Sequence, residues 1–259
     1  MDRKSISSQQ LYERLGLASA PVLVDVRRED EFGADEAMII GAVRRSPETF
    51  AHRPYVLPKG RDVVVYCVHG HEVSQGVAGA LQEAGTKAAY LEGGIADWKA
   101  QDLPTRRKRD ASENKWVTRE HPKIDRIACP WLISRFINPE ADFMYVPPAD
   151  VVKVAADLDG TPYDIKGVEF GHVGERCSFD AFIRAYDIHD AALDRLATIV
   201  RGADTSRPDL TPQCEGLLAI SYGLSANFPD DHEMLKHGLV IYDALYAWCR
   251  QQRAGKDAR

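Results

Sequence analysis

Three short runs constrain this chain most: PVLVDV (21–26), DVVVYC (62–67) and AAYLEGG (88–94). The first two are β-branched, lack polar alternation and end in turn signals, as strands buried on both faces do. The third reads as a further strand ending in a glycine turn. SSQQLYERLG and SQGVAGALQEAG carry helical patterning and each closes on a glycine suited to the C′ position. Strands alternating with helices predict βαβ units and a doubly wound parallel sheet over residues 1–104, an α/β domain.

TRRKRDASENK (105–115) breaks that pattern and predicts an exposed linker. Its RRKR run could touch nucleic acid or an anionic surface, but composition favours a solvated linker. Over 116–259 the style changes. DFMYVPP and GVEFGHV predict strands, and KIDRIACPWLISRFIN a helix interrupted near Pro130, which cannot donate an interior helix bond. DAALDRLATIVRGA, CEGLLAISYGL and DDHEMLKHGLVIYDALYAWCRQQ predict helices. The expectation is a second, mainly helical α+β domain.

Composition sets limits. The 259 residues are 44% hydrophobic, enough for two buried cores. A net charge of -6 argues against a nucleic-acid or anionic-membrane protein, a local basic patch excepted. No stretch approaches the roughly 20 apolar residues of a membrane span. The opening MDRKSISSQQLYERL lacks the apolar core of a signal peptide. Cys67, Cys129, Cys177, Cys214 and Cys249 are dispersed and form no CxxC pair. A reduced, cytoplasmic protein with no membrane partner is expected.

Cys67 ends a predicted strand and precedes a loop, Val68, His69, Gly70, His71, Glu72 and Val73, that enters a helix. Ligands of open α/β sheets bind outside such strand ends. Inward backbone N–H groups and a helix N-terminus favour a thiolate and an attached anionic group. Gly70 allows a sharp turn, and His69 and His71 can supply protons or donors. A buried, inert cysteine fits the same position. The bare residues leave both readings open.

VLVDVRREDEF (22–32), IIGAVRRSP (39–47) and LEGGIADWKAQDLP (91–104) resemble the early, middle and closing motifs of the rhodanese family. The resemblance implies that Cys67 accepts a sulfane sulfur as a persulfide and passes it to a thiol acceptor, with no cofactor. Asp25 and Arg27 match the early motif and are expected to support the site structurally. Family loops commonly carry a basic residue near Glu72, so an acid there speaks against thiosulfate as donor. The segment from Cys67 to the helix-ending EAG is also one residue longer than usual. Longer loops in rhodanese-like phosphatases and arsenate reductases end in arginine. This one reaches Val73 and Ser74, which argues against a phosphatase.

In the second half, Glu169 and His172 lie close together, and Glu233 and His237 lie four apart on one helix face. His237 shares that face with Met234, Ile241 and Trp248, which points it inward. These four could hold iron, manganese or zinc. Equally, Asp230 could cap the helix with Glu233 as its capping-box partner, and His237 could be a core histidine. Asp125 with Cys129, and Arg201 with Asp204, are weaker candidates. Cys214 and Cys249 have no activating neighbours.

KWVTREHPKIDRIACPWLISRFINPE, VEFGHVGERCSFDAF, TIVRGADT and DDHEMLKHGLVIYDALYAWCR resemble the C-terminal domain of the chromate-resistance protein ChrB family. That resemblance implies a role in chromate resistance, often beside an efflux transporter, and some members are chromate-responsive regulators. The leading expectation is therefore a chromate-resistance protein with a rhodanese-like sulfurtransferase domain. The alternative is a chromate-responsive sensor or transcriptional regulator without turnover.

Overall fold

The computed structural model describes residues 4–51, 60–109 and 113–254. The chain divides into two units, Met1–Lys108 and Arg109–Arg259.

In the first unit the strands are β1 (Ser5–Ile6), β2 (Val22–Asp25), β3 (Ala37–Ile39), β4 (Ala42–Arg44), β5 (Val63–Tyr66), β6 (Ala88–Leu91) and β7 (Thr105–Arg107). The helices are α1 (Ser8–Arg14), α2 (Glu29–Gly33), α3 (Pro47–Phe50), α4 (Glu72–Glu83) and α5 (Gly94–Ala100). Five strands form a parallel sheet in the order β1-β6-β5-β2-β4. Every residue of β2 and β5 is buried, which is why neither alternates polar and apolar residues. Val77, Ala78 and Leu81 of α4 pack on Val63 and Val65. The helix ends in a Schellman motif: Thr86 N–H donates to Leu81 O at 2.9 Å and Gly85 N–H to Gln82 O at 3.0 Å. Gly85 has φ 83°, as its C′ position requires.

The linker expectation is corrected at its start. Thr105–Arg107 is a strand, antiparallel to β3, with Arg106 buried. The RRKR run is turned largely to internal use. Lys108 donates to Phe32 O and stands 3.9 Å from the Phe32 ring centre, and Arg109 pairs with Glu169 at 2.8 Å. Residues 110–112 of the expected linker lie outside the described residues.

The second unit has a three-stranded parallel sheet, β10-β8-β9, from β8 (Lys115–Arg119), β9 (Asp142–Val146) and β10 (Thr161–Pro162). Its helices are α6 (Asp125–Leu132), α7 (Val151–Asp157), α8 (Ser178–Ala185), α9 (Ala191–Asp204), α10 (Gln213–Asn227) and α11 (Asp231–Ala254). Trp131 on α6 contacts the rings of Phe136, Phe179, Tyr242 and Tyr246. At Gly238 of α11 a Cβ would stand 2.4 Å from Ile127 Cγ2, so only glycine lets these helices approach so closely.

Two local expectations change here. α6 continues through Pro130 into a π-turn over Ile133–Ile137. Proline removes the donor that would bond the Arg126 carbonyl, and the Tyr145 hydroxyl donates to that oxygen instead at 3.3 Å. GVEFGHV is not a strand. It makes isolated bridges, Tyr163 with Phe170 and Val173 with Arg176, because its buried Phe170 is held by ring packing on Phe182 rather than by a ladder.

Candidate functional site

β5 is the middle strand of the five, and Cys67 follows directly at its carboxyl end. With Val68, His69, His71, Glu72 and Val73, and with Arg28 and Glu31 after β2, it lines a pocket of about 460 Å³. The Cys67 residue is 5% exposed, and its sulfur lies 3.2 Å from the Ser74 hydroxyl in the first turn of α4. Glu72 is the first residue of that helix.

The loop is propped from behind by the glycine pair after β6. Ile95 N–H donates to Cys67 O at 3.1 Å and Ala96 N–H to Val68 O at 3.0 Å. A Cβ on Gly94 would stand 2.4 Å from Cys67 O and 2.5 Å from Val68 O. Gly70, at φ 71°, faces the same turn: its Cβ would meet Leu91 O at 2.5 Å. The LEGG sequence thus fixes where the Cys67 loop sits.

Asp25 and Arg27 hold the frame. Arg27 Nη2 donates to Asp25 Oδ2 at 2.6 Å, and both side chains are fully buried. The Tyr66 hydroxyl donates to the same carboxylate at 2.9 Å and accepts from Ile39 N–H at 3.2 Å. Arg27 also reaches Asp35 and the Ala37 carbonyl. Burial works against the Arg27 charge, but the hydrogen bond and charge of Asp25 outweigh it and raise its pKa. The network pins β2, β3 and β5 together beneath the pocket.

The other four cysteines are buried as well. Burial pushes the Cys129 and Cys177 thiols well up, and that of Cys249 up to about 11.

In the second unit the four expected metal ligands are not gathered. Glu169 is engaged by Arg109 through both oxygens at 2.8 Å. Glu233 and His237 do meet, at 3.5 Å, but both are about half exposed, and Glu233 pairs with Lys236 at 2.8 Å. His237 stacks on Phe228 with ring centres 4.2 Å apart. Asp230 accepts from Glu233 N–H at 2.8 Å, the capping contact.

His172 is placed elsewhere. Its Nε2 lies 3.4 Å from Asp125 Oδ2, 3.4 Å from Asp164 Oδ1 and 3.1 Å from Asp204 Oδ2. Asp125 is the first residue of α6 and Asp204 the last of α9, while Asp164 follows β10. Hydrogen bonds to Asp125, Asp164 and Asp204 raise the His172 pKa to about 12. Burial raises that of Asp125 to about 7, with Asp204 and Asp164 adding repulsion. Asp125 and Asp204 had been visible in the sequence as weaker candidates. Asp164 had not, because TPYDIKG shows no spacing that singles it out.

A further pocket of about 500 Å³ begins next to this cluster, at Val173 and Thr205, and is lined by Arg176, Arg184, Arg201 and Arg207, with one acid, Glu175, 3.6 Å from Arg207. Arg201 is held by Asp180 at 2.7 Å and Arg207 by Asp209 at 2.9 Å.

Residues 7–101 match the family model for the rhodanese-like domain, which defines the class of the first unit. Residues 116–249 match that for the C-terminal domain of ChrB. The chain belongs to that ChrB family. It is 31% identical over 148 residues to Protein ChrB of Cupriavidus metallidurans, covering 57% of this chain and 44% of that protein. It therefore spans less than half the length of that relative. It is also 33% identical over 99 residues to a sulfurtransferase of Allochromatium vinosum, covering 38% of this chain and 91% of the relative. Among solved structures, a rhodanese-related protein of Thermoplasma volcanium aligns with 24% identity and a TM-score of 0.35, over 39% of this chain and 96% of its own.

Proposed function

We propose that the first unit is a sulfurtransferase in which Cys67 carries the sulfur as a persulfide. The carrying observation is the place of Cys67: at the end of the middle strand, on an open pocket, with a hydroxyl at 3.2 Å to stabilise its thiolate. The family match and the sulfurtransferase relative support the same chemistry.

The step is an exchange. The Cys67 thiolate attacks the outer sulfur of a donor persulfide, R–S–SH. A new S–S bond forms to Cys67 Sγ, the donor S–S bond breaks, and the thiolate R–S⁻ leaves. An acceptor thiolate then attacks the outer sulfur of Cys67–S–SH and releases the Cys67 thiolate. Sulfane sulfur moves with no net oxidation. Glu72 at the pocket selects against dianionic donors such as thiosulfate. The test is transfer from a thiol persulfide to a small acceptor thiol. Cys67→Ser should abolish it, while Cys249→Ser should leave it unchanged. Equal activity of both variants rejects the reading.

A second reading is favoured by one observation, the arginine-lined pocket of the second unit. With Arg201 and Arg207 already paired, Arg176 and Arg184 present charge to an incoming anion, and a tetrahedral dianion such as chromate fits that chemistry. In this reading the protein senses the oxyanion in the service of chromate resistance, as the ChrB relationship suggests. Calorimetry with chromate should show binding that Arg184→Ala weakens at least about tenfold, the value of one charge-assisted hydrogen bond. Gel shifts with promoter DNA across a salt series then separate a regulator from an enzyme. Heat signals identical in wild type and variant reject the pocket.

A further inference from the structure

We infer that Asp125, Asp164 and His172, with Asp204 beside them, form a site for a divalent first-row transition metal ion in the second unit. The three nearest ligand atoms, one from each of Asp125, Asp164 and His172, lie within 4.8 Å of one another. Asp204 approaches the same His172 nitrogen from outside this group, at 3.1 Å. It supplies a fourth oxygen to the ion, directly or through a water.

The distances fit a shared ion. Two ligands at about 2.1 Å from one metal, subtending about 90–110°, stand roughly 3.0–3.5 Å apart. The three carboxylate oxygens stand 3.1, 3.4 and 3.4 Å from His172 Nε2. A ring nitrogen carries one hydrogen, which the three carboxylates around His172 Nε2 must share, whereas a metal ion takes the place of that proton and bonds each ligand atom separately.

A separate observation is the orphaned oxygen. Asp125 is 1% exposed, and its Oδ1 has no hydrogen-bond partner. The Cys177 thiol nearby is neutral and at most a weak donor. Leaving a buried carboxylate oxygen unmatched is costly, and a cation at the cluster removes that cost. The remaining oxygens are already oriented. Ser178 N–H donates to Asp125 Oδ2 at 2.6 Å and Ser178 Oγ to Asp164 Oδ1 at 2.8 Å. Arg119 and Arg126 hold Asp164 Oδ2, at 2.9 and 3.3 Å. Such contacts behind a ligand fix its direction.

The donor set names the metal class. Three carboxylates and one imidazole, without thiolate, favour manganese(II) or iron(II) over soft ions. His172 is 42% exposed, so part of the coordination sphere faces solvent, as in an exchangeable site rather than a closed structural one.

The test uses the full chain, expressed without a histidine tag, stripped by chelator and dialysed separately against manganese(II), anaerobic iron(II) and zinc(II). Elemental analysis should find about one equivalent of at least one ion in the wild type. Loading should raise the thermal midpoint. His172→Ala, at a half-exposed position that should fold normally, should lose both the metal and the shift. Asp164→Asn should do the same, and the double variant Glu233→Gln with His237→Ala should keep both. A wild type that retains none of the three ions overturns the inference. So does a His172→Ala variant with a full complement, or loss of metal only in the Glu233–His237 variant.

Discussion

The Cys67 sulfur and the Ser74 hydroxyl stand 3.2 Å apart, linking the end of β5 to the first turn of α4. A hydrogen bond to the charged form of an acid favours that form. Ser74→Ala removes it. Such bonds are worth about 1.5–3 kcal/mol, so alkylation of Cys67 at a fixed neutral pH should slow by about tenfold or more. Rates of iodoacetamide labelling of wild type and variant at neutral pH check this, and an unchanged rate would show that the hydroxyl does not act on the thiolate.

Gly94 sets the loop. With φ 60° and a Cβ position 2.4 Å from Cys67 O, it has no room for a side chain. Gly94→Ala should displace the Cys67 loop, cost about 1–3 kcal/mol in urea unfolding and reduce sulfur transfer. Wild-type stability together with wild-type transfer would mean that the close approach is not needed.

Glu72 combines two effects. As the first residue of α4 it complements the positive helix end, and as a pocket residue it repels a dianion. Glu72→Arg should raise kcat/KM for thiosulfate at least about tenfold relative to a neutral persulfide donor, the effect of about 1.4 kcal/mol. If the two donors respond alike, the charge argument fails.

The Asp35–Lys99 pair gives a pH signature. Burial would raise the Asp35 pKa, but hydrogen bonds from Lys99 and the Ala37 N–H outweigh it and leave the value lowered. A lowered carboxylate pKa gives stability that is present above the unfolded value and lost as pH falls through the folded one. Lys99→Gln should therefore destabilise by about 0.2–1 kcal/mol at neutral pH. The difference should shrink as pH falls below the unfolded carboxylate value of about 3.9 and through the lower folded one. Unfolding curves showing the same gap at pH 3 and pH 7 would contradict this.

Much of the first unit was legible because its signals are local. Fully buried β5 shows as an unbroken apolar run and β2 as one closed by Asp25, and Gly85 marks a helix end by its own geometry. Thr105–Arg107 was missed because a three-residue edge strand with one buried arginine looks like a charged linker until β3 is placed beside it. The second site was read in part. Spacing of four does bring Glu233 to His237, but the buried stripe of α11 runs through Met234, Gly238, Tyr242 and Tyr246. His237 lies off that stripe. The cluster at His172 draws on four separate segments, and no spacing in one sequence reports such a convergence.

The central claim is that Cys67 carries the transferred sulfur. The direct measurement is intact-protein mass spectrometry of the full chain after treatment with a persulfide donor, followed by peptide mapping. The account predicts the added mass of one sulfur atom, located on Cys67, absent from Cys67→Ser and removed by an acceptor thiol. Sulfur spread evenly over Cys129, Cys177, Cys214 and Cys249, or retained in full by Cys67→Ser, would contradict it.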